Sequence, residues 1–293
     1  MNIYDCFMYY DEDLILDLRL NLLNKHITKF VIVEADYSHS GKKRSLKFDI
    51  KKYSKFKNKI IYIPVSNTPE NIKEVKITDT DNQKNSKILD NALARENFQR
   101  NQIKLGLKNC NENDLIIISD VDEIPNLENF NHKSKISIFY QKMFYYKFNL
   151  KHPTLNWIGS RACKKKDLKS PQWLRNVKTK LYPFWRFDVF FSKKKYFNLN
   201  FIHNGGWHFT SIKSAEDIHF KLSNFLHHLE YEESKTKLKD IEDLIKEKKV
   251  LYNHLADKKD EKWRSSISLI KVDDKELPNY LIENKKRYSK FID

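Results

Sequence analysis

The first 125 residues alternate short apolar runs with polar or amphipathic stretches. The apolar runs have the length and composition of buried strands, and they cover residues 2–10, 29–35, 59–65 and 115–118. Helices are predicted between them, over residues 11–23 and 91–107, where apolar residues recur with helical spacing. Strands that alternate with helices predict an α/β fold with an open, mostly parallel central sheet flanked by helices.

The fourth apolar run ends in a cluster of acidic residues, Asp120, Asp122 and Glu123, which Pro125 follows closely. Alternation along an extended chain would point Asp120 and Asp122 in the same direction. Two carboxylates held together, with coordination positions left for water and phosphate, suit Mn²⁺ or Mg²⁺ bound with a diphosphate. The alternative is an acidic turn that is simply solvated.

The second strand also carries an acid at its end, Glu34. Ligands of open α/β sheets gather at the carboxyl ends of the strands, so Glu34, Asp120 and Asp122 are expected to share one crevice. The chain has neither a G-x-G-x-x-G fingerprint nor a P-loop. A bound diphosphate would therefore be held by a metal and by Lys or Arg side chains.

The chain is strongly basic, with 55 basic and 39 acidic residues in 293 and a net charge of +16. This excess is compatible with a nucleic acid or an anionic membrane as partner. The lysines are nevertheless scattered along the whole chain and no nucleic-acid motif is present, so a compositional bias explains the charge equally well.

The three cysteines, Cys6, Cys110 and Cys163, lie far apart in the sequence. No spacing typical of zinc ligands occurs among them, and a reducing compartment is the simpler inference. The N-terminal residues do not resemble a signal peptide, and no apolar run approaches about 18 residues. We therefore expect a cytoplasmic protein without a membrane span, for which peripheral association with a membrane stays open.

Two further stretches carry residues typical of a sugar-binding site. Residues 156–188 mix tryptophans with arginines, among them Trp157 and Arg161, which suits stacking on sugars but is also found in a partly buried antiparallel sheet. Two glycines at 205–206 precede Trp207 and His208 in a chain with only five glycines. They indicate a tight turn or a close backbone approach. His208 can complete a metal site, or it can be structural.

The last eighty residues have a helical pattern. Ser214 is the predicted N-cap of a helix with Glu216 and Asp217 in its first turn. A second, strongly charged helix is predicted over residues 234–255. We expect a catalytic domain over residues 1–213 and a helical C-terminal segment over 214–293 that packs on it.

Several segments taken in order resemble glycosyltransferase family 17, whose best-known members are the β-1,4-mannosyl-glycoprotein β-1,4-N-acetylglucosaminyltransferases. The similar segments are DCFMYYDEDLILDLRLNLL, FVIVEADYSHSGK, ENFQRNQI, IIISDVDEIP, GGWHF, KLSNFLHHLE and LPNYLIEN. They extend over most of the chain, and their order is more specific than any one of them. The resemblance implies a GT-A nucleotide-sugar fold, an inverting transfer from UDP-GlcNAc or a close relative, and a divalent metal, Mn²⁺ or Mg²⁺. The acceptor would be a glycan that is a polysaccharide, lipid-linked or protein-linked.

The resemblance also implies roles for single residues. The metal would be held by Asp120, Asp122 and His208. The nucleotide and its diphosphate would be contacted by Glu34, Arg95, Asp120 and Lys221. The base that deprotonates the acceptor hydroxyl would be Glu216, with Asp217 and Glu123 as alternatives. The sugar substrate would be contacted by Trp157, Arg161 and Trp207.

Two other function classes compete with this one. The first is a basic, metal-dependent nucleic-acid-binding protein or nuclease, and the second is a carbohydrate-binding module without catalysis. Hydrolysis of a UDP-sugar that depends on Mn²⁺ separates a glycosyltransferase from both.

Overall fold

The computed structural model describes residues 1–225, 228–256, 262–263 and 265–293, and its described part contains a ten-stranded sheet. The strands are β1 (Ile3–Met8), β2 (Lys29–Ala35), β3 (Ile60–Val65), β4 (Leu115–Asp120), β5 (Glu123–Pro125), β6 (Ile136–Tyr145), β7 (Leu150–Lys164), β8 (Leu199–Ile202), β9 (Gly206–Thr210) and β10 (Ile270–Lys271). Eight of them follow the order β3-β2-β1-β4-β7-β6-β9-β5, while β8 pairs with β6 and β10 pairs with β7.

One half of the sheet is parallel, as the alternation of strands and helices predicted. Strands β3, β2, β1 and β4 all run in the same direction. Met8, the last residue of β1, lies beside Val33 of β2 and Asp120 of β4. The carboxyl ends of these strands therefore meet at one edge of the sheet.

The other half makes the sheet mixed, so the prediction of a mostly parallel sheet is wrong. Strand β7 runs antiparallel to both β4 and β6, and β5 runs antiparallel to β9. The reason is local, because β6 ends at Tyr145 and β7 begins at Leu150. A connection this short joins antiparallel neighbours, whereas a parallel pair needs a crossover of a dozen or more residues.

Nine α-helices are present in the described ranges: α1 (Asp13–Leu23), α2 (Asp81–Asn101), α3 (Ile103–Gly106), α4 (Pro171–Asn176), α5 (Ala215–Leu222), α6 (His228–Ser234), α7 (Leu238–Lys246), α8 (Asn279–Glu283) and α9 (Lys285–Tyr288). Helix α2 begins ten residues before its predicted start, because Thr80 and Gln83 form a capping box there. The single helix predicted over residues 234–255 is wrong. In the predicted range α6 ends at Ser234 and α7 covers Leu238–Lys246, and Lys248, just beyond α7, has a φ of 54° that no helix accommodates.

Apolar layers cover both faces of the sheet. Neighbouring residues of β1 point to opposite faces, so Phe7 packs in the layer under α1 while Cys6 packs in the layer under α3. A third apolar cluster lies beneath α5 and α7, where Met143 of β6 meets Ile218 and Ile241. These layers fix the strands whose ends carry the acidic residues.

The C-terminal residues pack on the rest of the chain. Leu281 of α8 and Tyr288 of α9 are fully buried in the layer that contains Phe7. The indole Nε1 of Trp207 donates to the carbonyl oxygen of Glu276 at 2.7 Å. The division into residues 1–213 and 214–293 stays a prediction. Among the helices of the described ranges, none combines the length and apolar character that a membrane crossing needs.

Candidate active site

A cleft of about 460 Å³ opens at the carboxyl ends of β1 and β4. Met8 and Asp120, the last residues of these two strands, both line it. Helix α5 closes another side with Ile218 and Lys221. This is the edge at which open α/β sheets bind their ligands.

The acidic loop, residues 120–123, is held in place by a buried arginine of α1. Nη1 of Arg19 donates to the carbonyl oxygens of Asp120, Val121 and Glu123 at 3.0, 3.1 and 2.7 Å. Its other two nitrogens donate to the carboxylate of Asp5 on β1 at 2.8 and 2.6 Å. Because all five contacts come from one rigid guanidinium, the conformation of the loop is fixed relative to β1 and α1.

Asp120 carries a guanidinium on each of its oxygens. Oδ1 accepts from Nη2 of Arg100 at 3.1 Å, and Oδ2 accepts from Nη2 of Arg175 at 2.9 Å. Burial alone would raise the pKa of Asp120, but Arg175 and Arg100 outweigh it and hold the pKa well below its usual range. Asp120 is therefore ionised and ties α2 and α4 to the end of β4.

Asp122 faces a different pair of groups. Its Oδ1 lies 3.5 Å from Nε2 of His208, and its Oδ2 lies 3.7 Å from Nζ of Lys221. Burial would raise the pKa of Asp122, yet His208 and Lys221 outweigh it and lower the pKa. On its other side Nζ of Lys221 lies 3.8 Å from Oε1 of Glu12. Burial would lower the pKa of Lys221, whereas Asp122 and Glu12 raise it, so Lys221 keeps its charge.

Glu123 is only 1% exposed, and each of its carboxylate oxygens accepts two hydrogen bonds. Oε1 accepts from Nε1 of Trp157 at 2.7 Å and from Nη2 of Arg175 at 3.0 Å. Oε2 accepts from Nη1 of Arg175 at 2.6 Å and from the backbone N–H of Asp120 at 3.0 Å. These hydrogen bonds to Glu123 fix the orientation of Trp157 and Arg175.

Aromatic rings form one wall of the cleft. The ring of Trp157 lies 4.9 Å from that of His208 and 5.1 Å from that of His254. Tyr252 continues the wall, 4.8 Å from His254 and 5.0 Å from Trp263. Such a wall offers flat apolar faces of the kind that stack on sugar rings.

His208 reaches the cleft because Gly206 allows β9 to approach β5 closely. Gly206 has a φ of 128°, and a Cβ on it would lie 2.1 Å from the carbonyl oxygen of Ile124. In the resulting register His208 lies opposite Glu123. The close approach expected from the paired glycines is confirmed.

A comparison with protein-family models matches residues 1–160 to the model described as glycosyltransferase family 17. The chain belongs to glycosyltransferase family 17. The match extends from β1 through the acidic loop into β7, and it ends before Arg175, His208 and Lys221. A search of curated proteins finds no significant match.

Family membership makes the protein a glycosyltransferase, with a sugar donor and a glycan acceptor as substrates. It thereby decides against the nuclease and against the carbohydrate-binding module without catalysis. The cleft joins the acidic loop, the basic side chains of Arg100 and Lys221, and the aromatic wall.

The structure brings together half of the residues that sequence reasoning selected. Six of them line the cleft: Asp120, Asp122, Glu123, Trp157, His208 and Lys221. The other six do not: Glu34, Arg95, Arg161, Trp207, Glu216 and Asp217. The contacts of the second group explain their positions.

Glu34 and Arg95 support the loop between β2 and β3. The buried carboxylate of Glu34 accepts from the backbone N–H groups of Lys47 and Phe48 at 2.6 and 3.0 Å and from the hydroxyl of Tyr62 at 2.9 Å. Nη1 of Arg95 donates to the carbonyl oxygen of His39 at 3.1 Å, and His39 itself lines the cleft. A direct contact of Glu34 or Arg95 with nucleotide stays a prediction.

Arg161 lies on β7 and contacts the end of α4, and burial lowers its pKa to about 10. Its Nη1 donates to the carbonyl oxygens of Leu174 and Val177, both at 2.9 Å, and so holds the end of the helix that carries Arg175. Trp207 points to the face of β9 opposite His208 and packs near α8.

The predicted bases Glu216 and Asp217 lie in the first turn of α5, with exposed side chains. Asp217 Oδ2 accepts from the hydroxyl of Ser214 at 2.9 Å. Ile218, the next residue, is buried and lines the cleft. The two exposed acids therefore lie on the side of α5 that faces away from the cleft. Their role as base stays a prediction without a contact to the cleft.

Sequence reasoning missed the basic residues that organise the acidic loop. Arg19 interrupts an apolar row of α1 between Ile15 and Leu23, and a charge at such a position signals a buried partner. Arg100 and Arg175 gave no comparable signal, since they reach Asp120 from 20 and 55 residues away.

Within the described ranges, no group of three or more His, Cys, Asp and Glu side chains is placed to hold a metal ion. Two donors fit an ion completed by phosphate oxygens, because Asp122 Oδ1 and His208 Nε2 lie 3.5 Å apart. Two ligands at roughly 2.1 Å from one ion are separated by about 3 Å at a right angle and by about 3.4 Å at the tetrahedral angle. Asp120 as a direct ligand stays a prediction, since both of its oxygens accept from arginines.

Proposed function

We propose that this glycosyltransferase binds a nucleoside diphosphate sugar, UDP-GlcNAc or a close relative, and transfers the sugar to a glycan acceptor with inversion. One observation supports this most directly. Asp122 lies between His208 and Lys221 in the cleft at the carboxyl ends of β1 and β4. An anionic group beside a fixed cation and an imidazole suits the binding of a metal-complexed diphosphate.

Asp122 and His208 would hold the divalent ion, and the remaining positions would be filled by diphosphate oxygens and water. When bound, the ion supplies Lewis-acid stabilisation of the leaving diphosphate. His208 is fixed for this role by β9, and its ring packs against Trp157 at 4.9 Å. A ligand held by packing needs little reorganisation when the ion arrives.

Lys221 supplies a permanent positive charge for the diphosphate. It is held between Asp122 and Glu12 at 3.7 and 3.8 Å, distances too long for strong hydrogen bonds. Its N–H groups can therefore turn to phosphate oxygens without breaking a short ion pair. A fixed cation where negative charge develops is worth most in a cleft that excludes water.

The aromatic wall would support the sugar of the donor or of the acceptor. Trp157 lines the cleft, and its hydrogen bond to Glu123 fixes the orientation of the ring. Apolar faces of sugar rings stack on such rings, and nearby polar groups set the orientation.

A donor screen tests the proposal. Release of nucleoside diphosphate would be measured from a panel of nucleotide sugars, with Mn²⁺, with Mg²⁺ and with a chelator. We expect UDP release from UDP-GlcNAc or a near relative that requires the metal. The stereochemistry of the product, read by NMR, tests inversion. No release from any nucleotide sugar under any metal condition would contradict the proposal.

A further inference from the structure

Residues 178–195, here called the aromatic loop, expose an unusual set of side chains. The exposed apolar members are Leu181, Phe184, Trp185, Phe187, Phe190 and Phe191. Phe184 and Phe191 are 81% and 90% exposed. In the described ranges, Phe220 is the one exposed Phe or Trp outside this loop. Single exposed apolar residues are ordinary, whereas a contiguous cluster marks a surface that binds something apolar.

The same loop is basic. It contains six basic residues and a single acidic one, Asp188. Asp188 is already paired with Arg186 at 2.7 Å and with Lys195 at 2.6 Å. Exposed lysines flank the aromatic residues at both ends: Lys178 and Lys180 before them, Lys193 and Lys194 after them. The loop therefore offers apolar rings at its centre and positive charge at its base.

Hydrogen bonds close the base of the loop and join it to α4. The backbone N–H of Lys178 donates to the carbonyl oxygen of Lys194 at 2.7 Å, which closes the base of the loop. The indole Nε1 of Trp173, on α4, donates to the carbonyl oxygen of Lys193 at 2.7 Å. Val189, in the middle of the loop, is buried. The aromatic rings are thus displayed on a fixed platform.

We propose that the aromatic loop is a membrane-binding surface, in which the rings enter the headgroup region of a bilayer and the lysines contact anionic headgroups. Aromatic rings favour the interface between lipid and water, and lysines near that interface are attracted by acidic lipids. A loop with exposed rings at its centre and lysines at its base satisfies both preferences at once. An unpaired acidic residue would oppose binding, and the single acid of the loop is neutralised within it.

The loop adjoins the active site through α4. Arg175 of this helix contacts Asp120 and Glu123 of the acidic loop. Binding of the aromatic loop to a bilayer would therefore hold the cleft near the membrane surface. The membrane proposal stands on the loop alone and does not depend on the donor or the acceptor.

Co-flotation with lipid vesicles tests the proposal. Wild-type protein would be mixed with vesicles of phosphatidylcholine alone and of phosphatidylcholine with phosphatidylglycerol. We expect binding to the anionic vesicles that weakens as salt is raised, and much weaker binding to the neutral ones. The double variant Phe184→Ser, Phe191→Ser is expected to lose at least about tenfold in partitioning, since both rings leave the interface.

Matched variants distinguish vesicle binding by the aromatic loop from non-specific binding by other exposed residues. Ile77 is 99% exposed elsewhere on the surface, and Ile77→Ser should bind like the wild type. Lys193→Gln with Lys194→Gln should weaken binding to anionic vesicles only, whereas Lys51→Gln with Lys57→Gln should have a much smaller effect. Equal losses in the loop variants and in these controls would refute a specific surface.

Two further outcomes would overturn the proposal. The first is wild-type protein that does not float with anionic vesicles at low salt. The second is a wild-type dimer that the Phe184→Ser, Phe191→Ser variant converts to monomer in sedimentation experiments while vesicle binding is unchanged. In that case a second copy of the chain, not a bilayer, covers the loop.

Discussion

Nη2 of Arg19 lies 2.6 Å from Oδ1 of Asp5, and both side chains are completely buried. The same guanidinium donates to three carbonyl oxygens of the acidic loop. A buried ion pair is costly to break because the remaining charge is left without a partner. Loss of this pair should therefore both destabilise the fold and disturb the acidic loop of the candidate active site.

We predict that Arg19→Lys destabilises the protein by roughly 3 kcal/mol or more and abolishes activity. A lysine keeps the charge but cannot donate both to Asp5 and to the three carbonyls. Urea unfolding and donor hydrolysis measure the two effects. The control is Arg287→Lys, because Arg287 pairs with Asp17 at 2.6 Å but is 58% exposed, so its effect on stability should stay below about 1 kcal/mol. Equal, small effects in both variants would show that Arg19 does not support the loop.

Asp122→Asn should lower the rate of sugar transfer by about two orders of magnitude or more, with the fold kept. The variant keeps the shape of the side chain but removes an anionic ligand beside His208 and Lys221. Transfer and UDP release would be assayed at limiting Mn²⁺. Asp81→Asn is the control, since the side chain of Asp81 is 98% exposed on α2. Turnover like that of the wild type in the Asp122 variant would exclude a metal-binding role.

His208→Ala should weaken the apparent affinity for the metal by roughly 10- to 100-fold. The reason is the position of its Nε2, 3.5 Å from Asp122 Oδ1. Activity would be titrated with Mn²⁺ at saturating donor. His203→Ala serves as control, because His203 is exposed and stacks on Tyr140 just before β9. A lower melting temperature with unchanged metal dependence would make His208 a structural residue.

The three candidate bases give different signatures. If Glu216 is the base, Glu216→Gln should lose about 10²- to 10⁴-fold in transfer to acceptor while donor hydrolysis persists. Glu123→Gln should lower transfer and donor hydrolysis together and reduce stability, because it disturbs Trp157 and Arg175. If Asp217 is the base, the selective loss of transfer should appear in Asp217→Asn instead of Glu216→Gln. Selective loss of transfer in Glu123→Gln would instead identify Glu123 as the base.

The stability contribution of Asp114 should depend on pH. Burial would raise the pKa of Asp114, but hydrogen bonds from the backbone N–H groups of Asn2 and Asn111 outweigh it and lower the pKa. A lowered folded-state pKa stabilises the protein above the unfolded value of about 3.9, and this stabilisation is lost as the pH falls toward the folded-state value.

We therefore expect Asp114→Asn to cost about 1 to 3 kcal/mol of unfolding free energy at pH 7, and clearly less below about pH 3.5. Urea unfolding of both proteins at a series of pH values measures the difference. A difference that stays constant down to the lowest pH would contradict the assignment.

The sequence determined the parallel half of the sheet and the place of the acidic loop. The apolar runs of β1, β2, β3 and β4 are continuous enough to be recognised without any partner, and the acids after β4 follow from position alone. The close approach at Gly206 was also visible, because paired glycines are rare in this chain. These features depend on local chemistry, which a sequence records directly.

The tertiary structure sets which strands are neighbours in the second half of the sheet and which groups each acid contacts. The chain pairs β7 with β4 by contacts between distant residues, such as Ile118 with Arg161, and no local pattern specifies that choice. Glu34 and Asp120 both end strands of one sheet, yet Glu34 turns to a loop after β2 while Asp120 turns to two arginines. Which oxygen meets which cation is set by how helices pack on the sheet, and packing is a property of the whole chain.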